Sequence, residues 1–259
     1  MSQWDPGQYE RFAAERAAPF FDLLALIEPC DMPRVVDLGC GTGELTVQAH
    51  LQLDARQTIG IDNSSTMLAR AHEIDVDGVT FRHGDITSFS DEGAFDVLLS
   101  NAALQWLPDH AAMLARWTRA LGPEGQLAVQ LPSNADHPSH AVADALAHES
   151  PFIEAFDGDP PPDPTARVLA PEAYAEILEA LGFSRQHVRL QVYPHHLDSS
   201  ADVVEWVKGT SLTRVKARLS PVLYVEFLER YRERLIAAIG DCRPYLYTFK
   251  RILFWARRT

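Results

Sequence analysis

The sequence lacks the long apolar segments that membrane-spanning helices need, and its first residues show no feature of a secretory leader. Crossing a bilayer takes about 18–20 consecutive apolar residues, whereas the apolar runs here end after a few residues, as at residues 23–27. Residues 1–6 contain neither the basic stretch nor the apolar core of a secretory leader. We therefore expect a cytoplasmic protein that has no membrane partner.

Cysteine is scarce as well. Cys30, Cys40 and Cys242 are odd in number, and their positions match neither a metal site nor a redox motif. The stretches rich in Asp, Glu and His also lack the spacing of metal ligands. We therefore expect a reducing compartment and no bound metal.

Positive charge is in short supply and unevenly distributed. The net charge is −13, which argues against a nucleic-acid partner because such a partner needs a basic surface. Residues 201–259 nevertheless hold 12 Lys and Arg against 6 Asp and Glu, a local charge of +6. This basic segment indicates either a cationic wall for a small anionic substrate or ion pairs that join segments and maintain solubility.

A glycine-rich turn at residues 37–43 is the most informative stretch. The apolar run before it predicts a buried strand and the segment after it a helix, which is the nucleotide-binding corner of a Rossmann-like sheet. Gly39 and Gly41 allow a sharp turn and close approach of a ligand. A dinucleotide motif counted from Gly39 needs glycine at position 44, where Glu44 stands. Asp37 and Glu44 would repel a pyrophosphate, so the turn favours a cationic nucleoside, unless it is an ordinary βα turn.

The second predicted strand, residues 58–62, ends in an acid 23 residues after Gly39. An acid at that place typically accepts from both ribose hydroxyls of a bound nucleotide. We therefore expect Asp62 and the adjacent Asn63 to contact the cofactor. Together with the glycine turn, this acid strongly favours nucleoside binding.

Two further strand ends supply candidate contacts. After a third strand at residues 79–82, Asp85 is placed to accept from an adenine amino group and Ile86 to pack on the base, although Asp85 could merely cap a turn. A fourth strand at residues 95–101 ends in Asn101. Since ligands of open α/β sheets lie beyond the carboxyl ends of the strands, we expect Asn101, Gln105 and Trp106 to face the reacting group.

Beyond residue 126 the simple alternation of strands and helices stops. The pattern predicts a fifth strand, two final strands and a first helix that Pro19 kinks or divides. Helical insertions after strands five and six are expected to lie over the ligand end of the sheet as a cap. The predicted elements are helices 8–28, 139–156, 171–181, 201–212 and 221–239, and strands 127–131, 188–193 and 247–254. We predict an α/β fold, a single domain 1–259 whose core is roughly 30–132, 166–194 and 245–259 and whose cap is roughly 1–29, 133–165 and 195–244.

The glycine turn resembles motif I of the class I S-adenosylmethionine-dependent methyltransferases, whose cofactor carries a sulfonium and an ammonium. Nearly end to end, the chain resembles the trans-aconitate 2-methyltransferases. The matching segments are residues 9, 15–16, 19, 22–24, 100–106, 138–140, 204–210 and 249–254. Residues 241–244 depart from the Asp-Gly-containing hairpin of the family, so the resemblance does not determine selectivity among di- and tricarboxylates.

The resemblance implies a Rossmann-like seven-stranded sheet, S-adenosyl-L-methionine as cofactor and methyl transfer to one carboxylate of a small anionic polycarboxylate. A carboxylic acid with a pKa near ~4 is ionised at neutral pH, so no general base is needed. On this basis we expect Arg16, His140, Lys208 and Arg251 to bind the acid, and Gln105 and Trp106 to lie at the transfer centre. The competing interpretations are a core or helix-packing position for Trp106, and for Trp206 as well, a helix cap for His140 and structural ion pairs for the cations.

Two other functions stay open at this point. The first is a malonyl-carrier-protein carboxyl O-methyltransferase, for which the basic segment would supply a docking surface for an acidic carrier. The second is a non-catalytic nucleoside-binding subunit. The intact set of Asp37, Gly39, Gly41, Asp62 and Asp85 argues against the second, because a lost activity would relax the pocket.

Overall fold

The protein forms one mixed sheet of seven strands in the order β3-β2-β1-β4-β5-β7-β6. The structure is a computed structural model that describes residues 13–258, with side chains from residue 17. Strands β1 to β5 are parallel, and β7 runs antiparallel to β5. This topology confirms the predicted α/β Rossmann-like fold. The strands are β1 (Arg34–Leu38), β2 (Gln57–Asp62), β3 (Val79–His83), β4 (Phe95–Asn101), β5 (Leu121–Pro132), β6 (Arg185–Leu197) and β7 (Tyr245–Arg257).

Helices occupy most of the chain between the strands. Short 3₁₀ turns at Leu104–Trp106, Thr118–Ala120 and Pro164–Arg167 join some of them. The helices are α1 (Ala13–Leu24), α2 (Glu44–Gln52), α3 (Ser65–Ala71), α4 (His110–Trp117), α5 (Pro138–Ala147), α6 (Phe152–Ala155), α7 (Pro171–Ala180), α8 (Asp202–Lys208), α9 (Thr213–Lys216) and α10 (Pro221–Ile239).

The chain divides into two compact units. The larger unit contains Ala14–Pro132, Val168–Gln191 and the strand residues from Arg251 onward. The smaller unit contains Ser133–Arg167 and Val192–Lys250. The expectation that the inserted segments cap the ligand end of the sheet stays a prediction.

Several predicted boundaries were wrong for local reasons. Helix α1 runs through Pro19 without a break and ends at Leu24 rather than at residue 28. The helix expected over residues 139–156 is two helices, since Pro151 between them has no N–H to donate to a continuous helix. The helix expected over residues 201–212 likewise ends at Lys208, before Gly209. Strands β5, β6 and β7 all extend beyond the predicted limits.

Each unit has its own apolar core. In the larger unit, alternate residues of β5 and β7, such as Leu127, Val129 and Phe254, pack with the buried residues of the surrounding elements. In the smaller unit, Trp206 and Phe227 belong to a separate buried cluster. Trp206 is therefore a core residue, as the competing interpretation of the tryptophans expected.

Candidate active site

The glycine turn places the end of β1 close to the segment that follows β4. Gly39 has a φ of +86°, and a Cβ at this position would lie 2.4 Å from the Cβ of Ala103. Only glycine accepts both the left-handed backbone and this contact. The N–H groups of Gly39 and Cys40 donate to the carbonyl of Ile61, which joins the turn to β2.

Asp37 is a buried carboxylate with one oxygen that accepts no hydrogen bond from the described residues. Its Oδ2 accepts from Thr46 Oγ1 at 2.6 Å, whereas its Oδ1 has no hydrogen-bond partner among the residues that the structure describes. Burial, and to a smaller extent repulsion from Asp62, raises the pKa of Asp37 to about 6 against the hydrogen bond from Thr46. A positive group beside Oδ1 would satisfy this oxygen and favour the ionised form.

Asp62 ties the ends of β1 and β2 together. Its Oδ2 accepts from the N–H of Gly41 at 2.9 Å, and its Oδ1 accepts from the N–H of Ser64 at 2.8 Å. These two bonds orient the carboxylate at the carboxyl edge of the sheet. The carbonyl of the adjacent Asn63 contacts His83 Nε2 at 3.1 Å.

The loop after β3 carries the two residues expected to meet an adenine. Asp85 Oδ1 accepts from the N–H of Thr87 at 2.8 Å, so this carboxylate caps its own turn, as the competing interpretation expected. Ile86 is buried, and its carbonyl accepts from Trp117 Nε1 at 2.8 Å. This hydrogen bond from Trp117 holds the loop after β3 in place. This role of Trp117 is not predictable from the sequence, because a single tryptophan in a helix carries no sign of such a bond.

The segment after β4 turns sharply and presents an amide oxygen. Ala102 has a φ of +54°, which is rare for a residue with a Cβ. Its carbonyl accepts from Gln105 Nε2 at 2.7 Å, so the Oε1 of the buried Gln105 faces elsewhere. That Oε1 and Asn101 Oδ1 have no hydrogen-bond partner within the described part of the chain. Trp106 is half-buried in the 3₁₀ turn that follows.

Strand register brings several of these residues to one face of the sheet. Asp37 pairs with Leu99, Asn101 with Gln130, and Pro132 with Arg251. Because side chains alternate along a strand, Asp37, Asn101, Gln130 and Arg251 point to the same face at the carboxyl edge. Arg251 is buried there, and its Nη1 donates to Gln130 Oε1 at 3.3 Å.

We call this row of four residues the edge row. Its β1 and β4 positions present acceptor oxygens, and its β5 and β7 positions carry donor groups. Such a row can bind a cation at one end and an anion at the other. Three members of the row are predicted from the sequence, whereas Gln130 is not, because nothing in the sequence pairs it with a residue 121 positions away.

His140 lies in the smaller unit, in a cluster of buried charged groups. Its Nδ1 donates to Asp163 Oδ2 at 2.8 Å, since a carboxylate only accepts. Asp163 Oδ1 accepts from the N–H of Thr165 at 2.8 Å and from its hydroxyl at 2.6 Å, and Arg214 Nη2 lies 3.7 Å from Oδ2. Burial alone would raise the pKa of Asp163, but His140, Thr165 and Arg214 outweigh it and hold the pKa well below its usual range.

His140 and Asp163 also line a cavity of about 350 Å³ in the smaller unit. His140 is 5% exposed, and its Nε2 has no hydrogen-bond partner among the described residues. The helix cap that competed for this histidine belongs to His137, whose ring accepts from the N–H of Ser139 at 3.1 Å. Burial, and then the nearby His140, lowers the pKa of His137 to about 4, so this ring can accept at neutral pH.

The remaining expected acid contacts differ in their surroundings. Lys208 Nζ donates to the carboxylate of Glu205 at 3.0 and 3.1 Å. The side chain of Arg16 lies outside the described residues, although its backbone belongs to α1. Contact of either residue with an acid stays a prediction.

Many of the basic residues after position 200 pair with acids of their own unit. The carboxylate of Glu149 accepts two bonds from Arg234, at 2.6 and 2.7 Å, and Lys250 contacts Asp136. These pairs support the interpretation of the local +6 as charge used within the fold rather than as an open basic surface.

Among the residues the structure describes, no group of three or more His, Cys, Asp and Glu side chains is arranged to hold a metal ion. Within residues 13–258, no helix combines the length and apolar character needed to cross a bilayer.

Comparison with known proteins places these features in context. The family described as methyltransferase domain matches residues 31–167. The chain is 43% identical to the trans-aconitate 2-methyltransferase of Deinococcus radiodurans over 256 residues, covering 98% of both chains. It is 38% identical to that of Methylobacterium nodulans, covering 100% of both chains. It is 34% identical to that of Mycobacterium tuberculosis, covering 98% of this chain and 96% of the relative.

Solved structures share the fold at lower identity. A phosphoethanolamine N-methyltransferase of Haemonchus contortus in complex with S-adenosylhomocysteine superposes with a TM-score of 0.56 at 20% identity, over 93% of this chain and 53% of that chain. An S-adenosylmethionine-dependent methyltransferase of Mesorhizobium loti superposes with a TM-score of 0.53 at 22% identity, over 93% and 98%.

Proposed function

The chain belongs to the trans-aconitate 2-methyltransferases, and on that premise we propose that it methylates one carboxylate of trans-aconitate to give a monoester. Its cofactor is S-adenosylmethionine. The observation that carries the assignment of roles is the edge row, where acceptor oxygens and donor groups lie side by side on one face of the sheet.

The acceptor end of the edge row suits a cationic cofactor. Asp37 Oδ1 and Asn101 Oδ1 in this row have no hydrogen-bond partner among the described residues, and neither has Gln105 Oε1 in the segment after β4. A buried acceptor without a partner is costly, so such a group indicates a ligand with donors or positive charge. The ammonium and sulfonium of S-adenosylmethionine supply these. Asp62 ends β2 and Asn63 follows it, and Asp85 and Ile86 follow β3 at the same edge; these four residues would hold the nucleoside.

The donor end of the edge row suits an anionic acid. The guanidinium of Arg251 is buried and lies on the same sheet face as the acceptor oxygens. A guanidinium binds a carboxylate through two parallel N–H bonds, a contact that lysine cannot reproduce. We assign Arg251 to a spectator carboxylate, one that is not methylated. For Arg16, His140 and Lys208, contact with the acid stays a prediction.

The reaction requires little chemistry from the side chains. When bound, S-adenosylmethionine supplies a methyl group on a sulfonium, and the electron pair of the broken S–C bond stays on sulfur. The accepting carboxylate is already ionised at neutral pH, so no proton has to be removed. The residues of the edge row therefore act by orienting the acid and by excluding water, effects worth up to ~7–11 kcal/mol of a barrier. Gln105 and Trp106 are assigned to the methyl-transfer centre.

A direct assay tests the proposal. The protein is incubated with S-adenosylmethionine carrying a labelled methyl group and with a panel of tri-, di- and monocarboxylates, and the ester is identified by mass spectrometry. A malonyl carrier protein forms a further arm. We expect a labelled monomethyl ester of trans-aconitate. Labelling of the carrier protein alone, or of no acid while S-adenosylhomocysteine still binds, would overturn the substrate assignment.

A further inference from the structure

Strand β5 carries two buried glutamines on the same face, with opposite hydrogen-bonding states. Gln126 Oε1 accepts from Glu28 N–H and from Trp255 Nε1, both at 2.8 Å, and its Nε2 donates to the carbonyl of Glu28 at 2.9 Å. Gln130 Oε1 accepts from Arg251, whereas its Nε2 has no hydrogen-bond partner among the described residues. Gln126 is 1% exposed and Gln130 0%, so neither amide has access to water.

The orientation of the Gln130 amide follows from its neighbour. A guanidinium has only donors, so the carbonyl oxygen of Gln130 has to face Arg251. The NH₂ group is then the one turned away. The atom of Gln130 that lacks a partner in the described chain is therefore the donor Nε2. A buried donor without a partner indicates an acceptor on a ligand.

We propose that Gln130 is a substrate-binding residue whose Nε2 donates to the carboxylate that Arg251 holds. This inference rests on the proposed function and adds a second contact to it. The Oε1 of Gln130 accepts from Arg251 and so orients the guanidinium. The Nε2 of the same amide then adds one more N–H donor beside those of Arg251. Among the described residues, no acidic side chain accepts from Gln130 Nε2 and would compete there with the acid.

The pair has a consequence for substrate class. Two donors from different side chains, an amide NH and a guanidinium NH, match the two oxygens of one carboxylate. The carboxylate that receives the methyl group cannot be this one, because its oxygens must stay available for attack. The Gln130–Arg251 pair therefore selects acids with a second carboxylate and discriminates against monocarboxylates.

The two glutamines provide a matched test. Gln130→Met removes the donor at similar volume, and Gln130→Glu places a carboxylate where it neutralises Arg251 and repels the acid. Gln126→Met is the control on the same strand and face. The readouts are KM for trans-aconitate, kcat/KM for trans-aconitate relative to crotonate, a monocarboxylate, the affinity for S-adenosylhomocysteine, and thermal unfolding.

We expect Gln130→Met to raise KM for trans-aconitate on the order of 10- to 100-fold, the loss of one hydrogen bond to a charged group. Gln130→Glu should have a larger effect. The kcat/KM ratio for trans-aconitate over crotonate should fall similarly, and this ratio does not depend on how much enzyme is folded. Both variants should bind S-adenosylhomocysteine within about twofold of wild type. Gln126→Met should lower thermal stability and leave KM unchanged.

An unchanged KM and an unchanged ratio in both Gln130 variants would overturn the inference while leaving the proposed function intact. Direct titration of trans-aconitate into the complex with S-adenosylhomocysteine separates the two ideas. If wild type binds the acid more tightly than Gln130→Met without turning it over, the binding role stands and only the reaction is wrong. If wild type binds no polycarboxylate, both are overturned.

Discussion

Two buried aspartates, one in each unit, respond to burial in opposite ways. Asp37 in the larger unit is 3% exposed and Asp163 in the smaller unit 5%, yet the pKa of Asp37 is raised to about 6 while that of Asp163 is held well below its usual range. Asp37 has a single side-chain donor, Thr46, and one oxygen without a partner in the described chain. Asp163 accepts from His140 and twice from Thr165, with Arg214 nearby.

The difference shows that burial alone does not reveal the role of a carboxylate. Asp163 has its charge compensated within the smaller unit, which is the pattern of a structural anchor. Asp37 pays the desolvation cost without full compensation, which is the pattern of a group that completes its contacts with a ligand. Substituting each aspartate should therefore separate stability from cofactor affinity.

The largest effect is expected from Asp163→Asn. Removing this charge leaves Arg214 and His140 buried beside a neutral amide, so we expect unfolding free energy to fall by ~3–5 kcal/mol. Urea unfolding followed by circular dichroism measures it. Asp159→Asn is the control, because Asp159 is 92% exposed and its pair with Arg218 spans 3.9 Å. A loss at Asp163 no larger than that at Asp159 would contradict the anchor role.

The same substitution at Asp37 should act in the other direction on the cofactor-free protein. Asp37→Asn keeps an acceptor for Thr46 and removes a poorly compensated charge, so stability at pH 8 should rise by ~1–2 kcal/mol. Affinity for S-adenosylmethionine should fall on the order of 10- to 100-fold, because a charge-assisted contact is lost. Calorimetric titration and urea unfolding of one preparation test both parts. Loss of stability together with unchanged affinity would reverse the assignment.

The pH dependence sharpens the contrast further. The pKa of Asp37 is about 6 in the folded protein, above its value in the unfolded chain, so the folded state binds the proton more tightly. The free energy of unfolding of the cofactor-free protein should therefore fall as pH rises from ~4 to ~6. A cationic ligand prefers the ionised form. Affinity for S-adenosylhomocysteine should therefore fall as pH drops below 6, approaching tenfold per pH unit, because binding then requires Asp37 to release its proton. This proton release is visible as a dependence of the binding enthalpy on the ionisation enthalpy of the buffer.

Asp163 should behave oppositely over the same range. Its folded pKa lies below the unfolded value, so its stabilising effect is fully present above ~4 and is lost only as pH falls through the folded pKa.

Asp37→Asn should remove the pH dependence of cofactor affinity near 6. If the variant retains it, another group is responsible.

The smallest effect is expected on turnover. Since the accepting carboxylate needs no general base, kcat at saturating substrates should stay flat from about pH 6.5 to 8.5. Initial rates with trans-aconitate measure this. A clear ascending limb that disappears on replacing one histidine would indicate a hydroxyl or amine acceptor instead.

The cofactor side of the edge was predictable because its signals are local. Asp37, Gly39 and Asp62 lie at the ends of short apolar strands, and a strand–turn–helix unit places such residues without help from distant segments. The fold class followed from the same pattern, and the sheet order confirms it. The predicted roles of individual residues in binding stay predictions.

The residues that were missed depend on long-range pairing. Gln130 acquires its role from the register between β5 and β7, and Asp163 from a bond to a histidine 23 residues away. Asp163 also lies in a proline-rich stretch, where the sequence indicates only an extended loop. The predicted helix ends were wrong where a single proline or glycine interrupts the helix, as at Pro151 and Gly209.

The antiparallel course of β7 has a consequence for the order in which the site is synthesised. The residues assigned to the cofactor all precede Pro132, whereas Arg251 reaches the same edge only because β7 runs back along β5. About 120 residues, including most of the smaller unit, are translated between the two, which takes on the order of 10 s. A nascent chain can therefore form the cofactor half of the edge row, together with Gln130, before Arg251 has been synthesised to complete the acid-binding half.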